Sequence, residues 1–228
     1  MNFMNLYTTS AIVLNSVDYG ESDRIINLYT LDYGKIGGIA KGAKRSKKRF
    51  VNCLEPFFYI KVIFAQKQNF SLARIDQCEL IDGFHNIKSS LETIAAGSYF
   101  VELLSEMVRE GQKNPRAFEL ILNFLKYLDA GKEPETLTRF FEIKLLSALG
   151  YQPHLDRCVK CKRIINPDTK IYFSSPRGGI ICKSCITMAE PKIPISHGTA
   201  KSLALAANAG FEGLNRIILS FHIKNESA

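Results

Sequence analysis

The chain changes its hydrophobic period once. Between residues 8 and 80, apolar positions come in short runs or in alternation. The runs 11–14, 25–29, 35–40, 57–64 and 70–80 read as five strands. In the fourth, Phe58, Ile60, Val62 and Phe64 share one face, as a core-facing strand requires. Asp32-Tyr33-Gly34 turns the second strand into the third. Five short strands without a long helix among them predict a small closed or nearly closed barrel. From pattern alone, an SH3-like barrel reads similarly.

Near Ile87 the period becomes helical. Apolar positions recur at helical spacing from Ser90 to Val108. Asn114 is a cap and Pro115 a first helical residue, so a second helix runs to Leu128 and stops at Gly131. Pro134 opens a third, which carries Phe140, Phe141, Leu145 and Leu146. Gly150 ends it and Pro153 forbids continuation. These helices have the apolar faces of a bundle. Residues 199–209 read as a small-residue helix, and 215–223 as a last amphipathic helix or strand. The expected organisation is α+β: a barrel domain over 1–82 and a helical domain over 83–228.

Within the helical part lies Cys158-Val159-Lys160-Cys161, then twenty residues, then Cys182-Lys183-Ser184-Cys185. Two Cys-x-x-Cys knuckles at this separation match a four-thiolate zinc site, placed at about 155–188. Residues 170–174 read as a strand and 176–179 as a turn leading to the second knuckle, so the insert resembles a zinc ribbon. Four sulfurs leave no open coordination position, which makes the ion structural. Two disulfides or four free thiols are the plainer alternatives. His154 is close enough in sequence to replace a thiol, but a loop histidine is favoured.

Composition narrows the class. The chain has 228 residues, 46% of them hydrophobic, enough for a globular protein with two domains. No apolar run reaches the roughly 20 residues that span a bilayer. The first nine residues lack the basic and apolar regions of an export signal. A cytoplasmic, reducing location is expected, so Cys53 and Cys78 read as buried small hydrophobes in strands.

Charge adds the functional candidate. The formal net charge is +8, and residues 41–49 alone hold six cations and no anion: Lys41, Lys44, Arg45, Lys47, Lys48 and Arg49. Such a block on one loop points to a polyanion, with phosphate contacts driven by counterion release. Phe50 follows and is the candidate for stacking on a base, with Tyr29 and Tyr33 as weaker ones. Arg24 and Lys35 extend the candidate patch. The plain alternative is a solvated charge run. The reading requires Lys44, Arg45 and Lys48 to be free of the protein's own carboxylates. No amphipathic helical pattern beside the run suggests a membrane surface.

Catalytic patterns are weak. Gly37, Gly42 and Lys44 imitate part of a nucleotide-phosphate loop, but the magnesium-binding hydroxyl is misplaced. ATP binding is rejected. His85, His154, His197 and His222 pair with no nucleophile motif. Asp18, Glu21 and Asp23 form a trio that a metal-dependent nuclease could use, although a polar turn is favoured.

The order of parts resembles the bacterial recombination-mediator family RecO. The resemblance rests on the residues around Ala11 and from Asp18 to Arg24, on Lys41-Gly42-Ala43-Lys44-Arg45-Ser46 ending in Arg49-Phe50, and on 148–153 running into the first knuckle. Tyr172-Phe173, Gly178-Gly179 and the second knuckle complete it. It covers nearly the whole chain. It implies an oligonucleotide-binding (OB) barrel, a helical domain and often a zinc ribbon. It also implies binding of single- and double-stranded DNA, strand annealing, and partnership with RecR and the tail of the single-strand binding protein. Loading of RecA onto coated strands follows, without ATP use by the mediator itself. The family's site for the acidic, apolar protein tail lies on the helical domain, where Arg139 and Lys144 are the guesses. An RNA-binding or translation-associated protein, a nuclease and an assembly scaffold remain as alternatives.

Overall fold

A computed structural model describes residues 5–66, 72–167, 169–187 and 191–214. Five strands, β1 (Leu6–Tyr19), β2 (Asp23–Thr30), β3 (Gly34–Ala40), β4 (Tyr59–Ala65) and β5 (Ala73–Asp82), close a barrel in the order β1-β2-β3-β5-β4. All pairings are antiparallel except β3 with β5, where Gly38 faces Ala73. That single parallel contact closes the Greek-key barrel of the OB fold. The alternation read from sequence holds: Phe58, Ile60, Val62 and Phe64 are all buried, with Ile26, Leu28 and Ile36 in the same core. Phe57, expected to begin the fourth strand, instead turns with φ at 75°. Phe70, expected in the fifth strand, lies outside the described residues.

Cys53 and Cys78 are both buried, but only Cys78 is in a strand. Cys53 sits in the loop before β4. A disulfide joins the two, their Cα atoms 6.2 Å apart. They are thus a covalent tie rather than two separate hydrophobes.

Helices α1 (Leu91–Met107) and α2 (Pro115–Asp129) belong with the barrel to one compact unit, Met1–Pro134. Ser90 caps α1 by accepting from Thr93 N–H, and Asn114 caps α2 by accepting from Ala117 N–H. Phe118, Ile121, Phe124, Leu125 and Leu128 make the buried stripe of α2.

The second unit is Glu135–Ala228. Its first helix, α3 (Pro134–Ala148), ends where Gly150 takes φ 85°. Gly150 N–H then donates to Ser147 C=O and Tyr151 N–H to Leu146 C=O, the paired bonds of a glycine-ended helix. A small sheet follows, ordered β7 (Gly179–Cys182), β6 (Ile171–Ser174), β8 (Ile193–Ile195), and then α4 (His197–Asn208). The final element expected at 215–223 lies outside the described residues. Among the described residues, no helix is long and apolar enough to cross a membrane.

Candidate nucleic-acid interface and metal centre

The basic loop is built against the turn between β1 and β2. Gly42 has φ 69°, which lets the chain leave β3 and enter a 3-10 turn, Ala43–Arg45. Asp23 carboxylate accepts from Gly42 N–H at 2.8 Å, and Ser22 C=O accepts from Lys44 N–H at 2.9 Å. At its far end, Cys78 N–H of β5 donates to Arg49 C=O. Ala43 and Phe50 are buried in the barrel core and pin the loop on either side of the five cations from Lys44 to Arg49. The six cationic residues themselves are all exposed.

Two of the six are paired with carboxylates, and a third, Arg49, is engaged with backbone carbonyl oxygen. Lys44 Nζ stands 2.9 Å from Asp18, and Arg45 is 3.6 Å from Glu21. Arg49 donates to Lys41 C=O and lies over the Phe50 ring at 4.8 Å. Among the described residues, Lys41, Lys47 and Lys48 make no ion pair. The condition set on Lys44, Arg45 and Lys48 is therefore met only at Lys48. The side chains of Asp18 and Glu21 are 57% and 94% exposed, so water screens these pairs and a phosphate can exchange for the carboxylate.

The same contacts explain the acidic trio. The hydrogen bond from Lys44 holds the Asp18 carboxyl below the usual range, with Arg24 helping. Gly42 N–H does the same for Asp23. All three carboxylates face the basic loop, and the one metal-compatible cluster among the described residues is elsewhere. The turn is a clamp.

Two outlying cations are committed to the fold. Lys35 Nζ donates to Ser105 C=O of α1 at 2.7 Å, so it leaves the proposed patch. Arg24 is held by Asp18 at 3.2 Å and Glu55 at 2.9 Å. The stacking candidates are also corrected. Phe50 is only 5% exposed because its ring fills the barrel core. Tyr29 is fully buried, which pushes its phenol up to about 12. Tyr33 packs edge-on against Tyr7 and Phe64. Tyr19, which the sequence reading did not single out, is 55% exposed at the end of β1, next in the chain to Asp18, the partner of Lys44.

In the second unit, Cys158, Cys161, Cys182 and Cys185 bring their sulfurs within 4.8 Å of one another. Lys162 takes φ 62° and donates its N–H to Cys158 C=O, folding the first knuckle; Cys185 N–H donates to Cys182 C=O in the second. Thiolates 2.3 Å from a tetrahedral zinc stand about 3.8 Å apart. Cys161 and Cys182 sulfurs are 3.9 Å apart. Burial opposes ionisation of Cys158, but N–H donors from Cys161, Cys182 and Lys160 outweigh it and bring the thiol to about 6. Cys185 is pushed up to about 12, first by Cys182. Cys182 is lowered too, first by Ser184, so the thiols are driven apart in acidity within a cluster that could hold a metal ion. His154 is not in this group; its backbone pairs with Gly178 and Ile180.

Two family models match the chain. Recombination protein O N terminal covers residues 4–84, and Recombination protein O C terminal covers 88–227. This chain belongs to the RecO family. It is 38% identical to the DNA repair protein RecO of Syntrophus aciditrophicus (strain SB), over 100% of this chain and 88% of that protein. It is 36% identical to the DNA repair protein RecO of Thermoanaerobacter sp. (strain X514), over 98% and 88%. For that of Halalkalibacterium halodurans the identity is 33%, over 93% and 82%. The five-stranded barrel is accordingly the OB fold of the RecO N-terminal region.

The two residues guessed for partner binding in the RecO C-terminal region differ in their surroundings. Lys144 Nζ donates to Ala209 C=O at the end of α4, near the Phe211 ring, so it caps that helix. Burial lowers its ammonium below the usual range. Arg139 pairs with Glu142 and lines a largely apolar cavity of about 250 Å³ with Leu146, Leu155, Phe173 and Ile195.

Proposed function

We propose that the chain is a non-enzymatic recombination mediator of DNA repair. It captures the phosphates of single- and double-stranded DNA on the 41–49 loop of the barrel. With two strands on one cationic surface their mutual repulsion falls, and complementary strands anneal. Lys41, Lys47 and Lys48 make the first contacts; Lys44, Arg45 and Arg49 follow as phosphates replace Asp18, Glu21 and backbone carbonyls. The observation that carries this reading is the loop itself, six exposed cationic residues fixed to an OB barrel.

The functional division is 1–82 for DNA and 83–228 for partners. Zinc is the ion assigned to the four cysteines, from ligand type and spacing. RecR, the tail of the single-strand binding protein and, through them, RecA are the assigned partners. An acidic, apolar tail suits the cavity beside Arg139. Lys144 remains in that assignment only as the residue that shapes α4. The setting is cytoplasmic.

Neutralising about four phosphates gives a slope near −3 for log affinity against log salt on single strands. Replacing the six loop cations with glutamine flattens that slope and weakens binding to all sequences alike. Fluorescence polarisation with labelled oligonucleotides measures both. Unchanged affinity in the six-fold variant places the DNA surface elsewhere. Strand annealing on DNA coated by single-strand binding protein, with and without the loop cations, tests the mediator step.

A further inference from the structure

The cationic loop accounts for the phosphate chain and leaves the bases without a partner. We propose that Tyr19 is a stacking platform for an unpaired nucleobase, which makes the tip of the β1–β2 hairpin a single-strand subsite beside the phosphate-binding loop. The proposal rests on the loop reading above.

Among the described residues of the barrel, Tyr19 is the one exposed aromatic. Its position relative to the cations is fixed from both sides. Asp18, its chain neighbour, projects from the opposite face of the strand and holds Lys44 at 2.9 Å there. Asp23, its cross-strand partner, accepts from Gly42 N–H. Ser22 C=O takes Lys44 N–H in the same turn. Val17, two residues back on the same strand and 50% exposed, adds apolar surface on the face of Tyr19. Phosphates held at Lys44 and Arg45 therefore bring their own bases to the hairpin tip. The turn between the first two strands of an OB barrel is a usual oligonucleotide contact.

A single exposed tyrosine needs no function by itself. What separates this one is its place in the clamp that orders the loop. Stacking needs a free base face, so a duplex, whose bases already stack, gains nothing from it. The subsite therefore adds affinity for single strands only.

The test uses the full chain and oligo(dT), with a duplex of equal length as comparison. Tyr19→Ala weakens oligo(dT) binding about 5- to 100-fold, and leaves duplex affinity and both salt slopes unchanged. Tyr19→Phe keeps wild-type affinity. The protein contains no tryptophan, so in Tyr19→Trp the indole emission reports this position alone. Oligo(dT) quenches it and the duplex does not. Unchanged oligo(dT) affinity in Tyr19→Ala, equal loss on both DNA forms, or an indole emission unmoved by saturating oligo(dT) each overturns the proposal. Failure of the underlying loop reading looks different: the wild-type chain itself would show no salt-dependent affinity for either form.

Discussion

A lysine meets a phosphate only after any carboxylate nearer to it has let go. Lys44 and Arg24 share Asp18, so this one side chain offsets positive charge at the centre of the proposed interface. Asp18→Asn removes the competitor while keeping the shape. It should tighten DNA binding several-fold and steepen the single-strand salt slope by about 0.7, the increment of one more phosphate. A titration of oligonucleotide at four or five salt concentrations reads both values. The sign with pH is fixed. Asp18 and Asp23 titrate below the ordinary 3.8, so the loop contacts they make are complete above that value and are lost as pH falls through the lowered ones. The gain in Asp18→Asn should hold from pH 8 down to pH 5. Weaker binding in this variant would mean that the clamp matters more as a support than as a competitor.

The β1–β2 turn, the basic loop and β5 form one mechanical unit. Asp23 and Ser22 hold one end of the loop; Cys78 N–H and the Cys53–Cys78 bond hold the other. The bond closes a sequence separation of 25 residues, for which the chain-entropy argument gives at most about 3.5 kcal/mol. Reducing it, or the double change Cys53→Ala and Cys78→Ala, should lower the urea midpoint of the barrel and speed proteolysis within 41–53. An unchanged midpoint would leave the pair as mere neighbours. The strands themselves were legible because β4 alternates cleanly. The true extent of β1 was hidden by Thr8, Thr9, Asn15 and Asp18, polar residues on a strand that outruns its apolar centre. β8 was hidden by Pro194 in a three-residue edge strand. The loop's cations were plain in the sequence. Their counterions were not, since Asp18 and Glu21 lie about 25 residues upstream of Lys44 and Arg45 and only the barrel's register brings them across. Phe50 read as a base platform because it follows a charge run; in the fold it is the apolar plug that ends that run.

Across the whole molecule, chemistry divides between two compact units. The loop proposed to hold DNA is in Met1–Pro134 and the cysteine cluster in Glu135–Ala228. The cluster carries much of its local order: Cys158, Ile181 and Cys182 form a small buried core with Tyr172 and Ile186 against it. So small a core gives two knuckles and a three-stranded sheet little apolar support, and an ion bound by the four cysteines would add on the order of 10 kcal/mol of local folding. Metal removal should therefore act on one unit. With a chelator, the treated and untreated chains being held at the same redox state, or with Cys158→Ser, proteolysis within 155–195 should accelerate, and the bound metal lost should be close to one equivalent by elemental analysis. Oligonucleotide affinity and its salt slope should stay at wild-type values, because every residue assigned to phosphate or base lies in the barrel. Partner-dependent steps should fail first, since the cavity beside Arg139 is walled by Phe173 of β6 and Ile195 of β8, strands of the sheet that the knuckles anchor. Loss of DNA affinity on chelation would place part of the DNA surface in the second unit, and an unchanged cleavage pattern would remove the metal from the folding of the sheet.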